Sequence, residues 1–126
     1  MHPFRTAIEA GDIDAAVALL GDDVVFHSPV VFKPYHGSAA VGAILRAVAE
    51  VFEDFTYVLE LGQDGGADHA LVFSARVGDR RLEGCDFVHT GADGKIDALT
   101  VMVRPLSGAL ALAEAMGAKL AAAAQP

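Results

Sequence analysis

The stretch "RLEGCDFVHTGADGKIDALTVMVR", residues 81–104, decides how this chain is read. Both halves alternate with a period of two and are rich in β-branched and aromatic residues, while "GADG" between them is turn chemistry. Strand-like runs joined by so short a link pair as an antiparallel hairpin. Upstream, "FTYVLEL" and "HALVFSARV" repeat the pattern, with "GQDGGAD" and "GDR" as the intervening turns. The C-terminal half therefore reads as one antiparallel sheet.

The period differs on either side of it. "AAVGAILRAVAEVF" places Val41, Ile44, Leu45, Val48, Val51 and Phe52 at helical spacing, with Ser38 as its candidate cap. Before that helix, "VVFHSPVVF" is β-rich and broken by Pro29, and "KPYHGS" is a turn-rich loop. The first segments are short helices. Pro3 stands near the start of "PFRTAIEAG" and Gly11 at its C-cap, and Asp12 caps "IDAAVALL", which is expected to end at Gly21. The tail after Pro105 reads as an Ala-rich helix with Leu106, Leu110, Ala113, Met116 and Leu120 along one side. With no linker and no internal repeat, the order implies one α+β domain over residues 1–126.

Composition narrows the function classes. A net charge of −8 argues against a phosphate-backbone partner, which needs a basic footprint. No apolar run reaches the ~18 residues of a membrane span, and the start lacks the basic and apolar regions of a secretory signal. The single cysteine, Cys85, cannot form an internal disulfide, so a cytoplasmic setting is the expectation. The five histidines show no i,i+4 pair, and there is no phosphate-loop or dinucleotide motif, so neither metal nor cofactor is expected.

Asp86 is the residue that stands out. If it points inward, Leu82, Gly84 and Val88 share its face, and Glu83, Cys85, Phe87 and His89 take the other. The first face is then apolar apart from the carboxylate, as a pocket wall would be, and Gly84 would leave room beside it for a ligand. Desolvation there would raise the Asp86 pKa and let it act as an acid or donor at neutral pH. The alternatives are pairing with Arg76 or Arg104, or a wet face. Tyr57 reads as a core aromatic sharing a face with Phe55, Leu59 and Leu61, its hydroxyl at the rim. Cys85 reads as a structural thiol. Arg104 reads as an outer-face residue beside Thr100 and Met102. Tyr35 and His36 sit in a loop where they either bond a ligand or cover the core.

The order of elements, together with "AGDIDAAVALLGDDVVFHSP", a following "HG" and "DGKI" near the end, resembles the nuclear transport factor 2-like superfamily. Within it the chain is similar to the SnoaL-type polyketide cyclases and the ketosteroid isomerases. The resemblance implies a cone-shaped, strongly bent antiparallel sheet wrapped around the N-terminal helices, a pocket between them, and a homodimer through the outer sheet face. Ketosteroid isomerases pair an Asp base with an oxyanion hole of a Tyr and a protonated Asp. By resemblance the oxyanion Asp falls on Asp86, eight residues before Gly94. The base position falls on Ser28 before Pro29, and the Tyr position on Phe4. Loss of the base and the Tyr argues against that reaction. The epoxide hydrolase set is incomplete as well, with Arg76 in place but Gly78 and Val101 where its aspartates would stand. SnoaL-type cyclases work with a lone pocket Asp, a role Asp86 would fill.

If Ser28 takes the base position, Phe26 and Ser28 point inward and His27 turns to the other face as an interface or packing residue. Two functions follow. One is a cofactor-free acid–base enzyme on an apolar, carbonyl-bearing cyclic compound. Asp86 would move the proton, and Ser28, Tyr35 and His36 would orient the substrate. Phe26, Phe52, Phe73, Val88, Val101 and Val103, with Val24, Leu45, Val48 and Leu99, would form the walls. The other is a non-catalytic homodimeric module for ligand binding or assembly.

Overall fold

The computed structural model describes residues 1–124. Helices α1 (Pro3–Glu9) and α2 (Ile13–Ala18) precede strands β1 (Leu20–His27) and β2 (Tyr35–His36) and helix α3 (Ser38–Val51). Strands β3 (Glu53–Leu61), β4 (Asp68–Val77), β5 (Arg80–Thr90) and β6 (Ile96–Arg104) follow, and helix α4 (Leu106–Ala124) ends the described chain.

Local chemistry accounts for the helix ends. Pro3 opens α1, and the neutral acceptor Nδ1 of His2 takes the Phe4 N–H at 3.0 Å. Gly11, at φ +71°, turns the chain out of α1 in the left-handed region that suits glycine. Asp12 caps α2 through the Ala15 N–H at 3.0 Å. The expected end of α2 at Gly21 is corrected, since Leu20, Gly21 and both following aspartates already belong to β1. Ser38 is not a cap either. Gly37 holds the cap position of α3, and no side chain bonds to the free N–H groups there.

The strands form one sheet in the order β2-β1-β6-β5-β4-β3. β3 to β6 are successive antiparallel hairpins, but β1 joins β6 in parallel, so the sheet is mixed at that seam. Register sorts the side chains. Leu71, Asp86 and Val101 lie side by side on the inner face, and Val72, Cys85 and Met102 on the outer one. In β3 a bulge intervenes, because Tyr57 pairs with Phe73 and Leu59 with Val72, which leaves Val58 as the extra residue. Leu59 and Leu61 consequently point out and stand about half exposed, not inward with Tyr57 as simple alternation implies.

Helices α3 and α4 pack on the inner face. In α4 the buried stripe is Gly108, Leu112 and Met116, whereas Leu106 and Leu110 are exposed. An Ala-rich helix is apolar all round, so periodicity cannot select its face. Close approach does. A Cβ on Gly108 would lie 2.7 Å from the Leu82 Cβ, so only glycine lets α4 sit this near β5.

Candidate active site

Between the inner sheet face and helices α1, α3 and α4 lies a cavity of about 400 Å³. Its walls are apolar. Phe4 and Ile8 come from α1, Leu45 and Val48 from α3, Leu99 and Val101 from β6, and Leu112 and Met116 from α4. Polar side chains reach it at four positions among the lining residues: Glu9, Ser28, Tyr57 and Asp86. A largely apolar concavity with a few convergent polar groups is the usual form of a small-molecule site.

Asp86 projects from the middle of β5 into this cavity and is only 7% exposed. Its partner is Tyr57, whose hydroxyl donates to Asp86 Oδ2 at 2.7 Å. Burial pushes the Asp86 carboxyl up to about 7, while the Tyr57 hydrogen bond works the other way by favouring the carboxylate. Burial first, and then the Asp86 charge, raise the Tyr57 hydroxyl far above its ordinary value, so it stays a donor. The ring is fixed by edge contacts with Phe55 and Phe73, at 4.9 and 6.4 Å between centroids, and by the Arg5 guanidinium 5.8 Å from its centre. Tyr57 engages one carboxyl oxygen and leaves Oδ1 for the cavity. Below neutral pH Asp86 is thus a carboxylic acid that can donate a proton or hydrogen bond to a ligand oxygen.

Phe26, Ser28, Phe52 and Val101 line the cavity. Ser28 is also engaged in its turn, where its Oγ accepts the Val30 and Val31 N–H groups at 3.1 and 3.3 Å. Leu45, Val48 and Leu99 line it too, and the remaining expected positions lie elsewhere. Tyr35 is half-buried against Phe26, with ring centroids 6.2 Å apart, and His36 is exposed. Val24 and Val88 are in the packed core, Val103 is half-buried, and none of the three is in the cavity wall. Phe73 backs the wall rather than forming it, stacked on Phe55 at 4.8 Å. Its ring fills the space above Gly84, where a Cβ would come within 2.6 Å of Phe73 Cε2. The room that Gly84 provides is therefore for Phe73 and not for a ligand.

No arginine reaches Asp86. Arg76 binds Glu53 and Asp54, each at 2.6 Å, and Arg104 binds Glu83 at 2.5 Å on the outer face. His27 is exposed, as alternation from Phe26 requires. Cys85 turns away from the cavity, and burial raises its thiol. Among the described residues no cluster of three or more His, Cys, Asp or Glu side chains is placed to hold a metal ion. Sequence reasoning missed Tyr57 as the partner of Asp86 and Glu9 as a lining carboxylate. It also missed the contribution of α4. The one available signal was a tyrosine among apolar strand neighbours.

A six-stranded sheet backed by helices is the fold of solved structures described as NTF2-like or cystatin-like. A sequence profile of the SnoaL-like domain matches residues 2–99, and the chain belongs to that family. No curated protein matches it. It is similar to the crystal structure of a steroid delta-isomerase from Pseudomonas aeruginosa. The two are 45% identical with a TM-score of 0.87, over 93% of this chain and 85% of that one. A protein from Silicibacter pomeroyi with a cystatin-like fold is 34% identical, with a TM-score of 0.88 over 96% of this chain and 87% of that one. An epoxide hydrolase/cyclase-like enzyme of salinomycin pyran-ring formation shares the fold at 18% identity, with a TM-score of 0.65 over 83% and 87% of the two chains.

Proposed function

We propose that the cavity binds a small, apolar cyclic compound bearing a carbonyl or enol oxygen and moves a proton on it without a cofactor, Asp86 being the acid. The observation that carries this is the buried Tyr57–Asp86 pair opening onto an apolar cavity. A carboxyl kept neutral by burial donates to a developing oxyanion, and exclusion of water strengthens that contact. The isomerase named among the similar structures supports the reaction class, with two differences in the parts: Phe4 stands at the Tyr position of ketosteroid isomerases, the hydroxyl here coming from β3, and Ser28 stands at the base position. Phe26, Phe52 and Val101 shape the site, and Ser28 sets its rim.

The test is proton–deuterium exchange at the α-carbon of 2-tetralone in D₂O, followed by NMR. The protein should exceed the buffer rate, and Asp86→Asn should lose roughly 10²- to 10⁴-fold, as removal of a general acid does. Exchange at the buffer rate would leave a non-catalytic binding module as the reading.

The outer sheet face completes the proposal. Leu61, Ala70, Phe87 and Thr100 form one row and Leu59, Val72, Cys85 and Met102 the next, and Met102 is 59% exposed. An apolar face of this extent is covered, on this reading, by a second copy of the chain. Analytical ultracentrifugation should find a dimer that Phe87→Glu converts to a monomer; a monomeric parent protein would refute this.

A further inference from the structure

We infer that Glu9, at the C-terminal end of α1, is the proton acceptor of this site, working opposite Asp86. The inference rests on the proton-transfer reading above and supplies the part that reading lacks. Asp86 is held as an acid, and the end of β1 offers only Ser28, which cannot serve as a carboxylate base. Of the residues lining the cavity, three carry titratable side chains: Asp86, Tyr57 and Glu9. Tyr57 is committed as a donor to Asp86. Glu9 is left.

Its setting suits the task. Ile8 and Phe4, on the same helix, form part of the apolar wall, so Glu9 stands at the edge of a dry surface. Arg5 lies one helical turn before it, with Nε 3.3 Å from Glu9 Oε1, while its NH1 reaches Glu60 on β3 at 3.4 Å. That ion pair engages Oε1 alone. The negative charge of Glu9 is felt at the Tyr57 hydroxyl, where it helps to raise the pKa, so Glu9 and the Tyr57–Asp86 pair are electrostatically linked. Its side chain is 35% exposed, so solvent reaches the carboxylate.

The step balances with these two groups. The C–H bond beside the carbonyl breaks and its proton passes to Oε2 of Glu9. The electron pair moves onto the carbonyl oxygen, which takes the proton of Asp86. The enol then regains a proton at carbon from Glu9 and returns the other to Asp86. Neither oxidant nor co-reactant is consumed.

The experiment compares the parent protein, Glu9→Gln, Glu9→Asp and Asp86→Asn for exchange of 2-tetralone in D₂O, with binding of unreactive 2-naphthol read by fluorescence. Glu9→Gln should lower turnover on the order of 10²- to 10³-fold. It should leave 2-naphthol affinity within about threefold. Glu9→Asp should recover part of the rate. If the parent protein and Asp86→Asn differ as expected but Glu9→Gln turns over within about threefold of the parent, this assignment fails and the proton-transfer reading stands. If the parent protein does not exceed buffer, both fall.

Discussion

Glu83 and Asp86 are carboxylates on the same strand, and β5 sends them to opposite faces of the sheet. Glu83 points out and meets Arg104 across the β5–β6 ladder at 2.5 Å, with both side chains more than half exposed. Asp86 points in, meets the uncharged Tyr57 at 2.7 Å and is almost wholly buried. A full opposite charge in water does little to a carboxylate, because solvent already stabilises it and salt screens the pair. A neutral donor in a dry cavity cannot replace the lost hydration, so the acid form persists toward neutral pH. The face of the strand therefore matters more than the strength of the partner, and it turns one residue into a site and leaves the other in a surface ion pair.

The largest consequence of that difference is the pH dependence that Asp86 gives the inner face. The folded Asp86 carboxyl stands at about 7, and the unfolded one at about 3.9. Folding thus favours the protonated form. Stability is complete below pH ~4, falls as the unfolded chain ionises, and levels off above pH ~7, by roughly 4 kcal/mol at most. Asp86→Asn, which keeps the shape and an acceptor for Tyr57, should therefore unfold at higher denaturant than the parent at pH 8 and nearly together with it at pH 4. Parallel curves at both values would erase the contrast between the two faces.

A smaller effect tests how tightly the inner face is packed behind the site. Gly84→Ala would set a methyl against Phe73 and 2.9 Å from the Met102 carbonyl oxygen. Chemical denaturation should show a loss of roughly 2–3 kcal/mol. A neutral result would mean that Phe73 yields easily and that Gly84 does leave space for a ligand. The smallest effect belongs to the outer face. Glu83→Gln should shift stability by less than ~1 kcal/mol and fade with added salt, whereas a loss comparable to Gly84→Ala would show a pair that solvent does not screen.

Much of this arrangement was legible in the sequence, for identifiable reasons. Alternation along β5 placed Asp86 inside and Cys85 and Phe87 outside, and alternation along β6 placed Val101 inside and Arg104 outside, because nothing interrupts the β5–β6 ladder between Glu83 and His89. Alternation failed in β3, where the extra residue Val58 turns Leu59 and Leu61 outward. A bulge without a glycine or proline leaves no local mark. The partner of Asp86 was hidden by distance along the chain, since Tyr57 lies 29 residues away and its hydroxyl is placed only when β3, β4 and β5 align. The role of Gly84 was misread for a related reason. An absent side chain shows in the sequence, but the ring that fills its space comes from the neighbouring strand. Glu9 went unnoticed because its ion pair with Arg5 is what any helix surface offers, and only the packing of α1 against the sheet brings it to the cavity.

The most direct test of the account is the titration of the Asp86 side-chain carboxyl by carbon-detected NMR, with Asp86→Asn to assign the signal. The account predicts a midpoint near 7, well above free aspartate at about 3.9. A midpoint at or below about 4 would make Asp86 an ordinary ionised carboxylate at neutral pH, and the acid at the centre of the proposed chemistry would not exist.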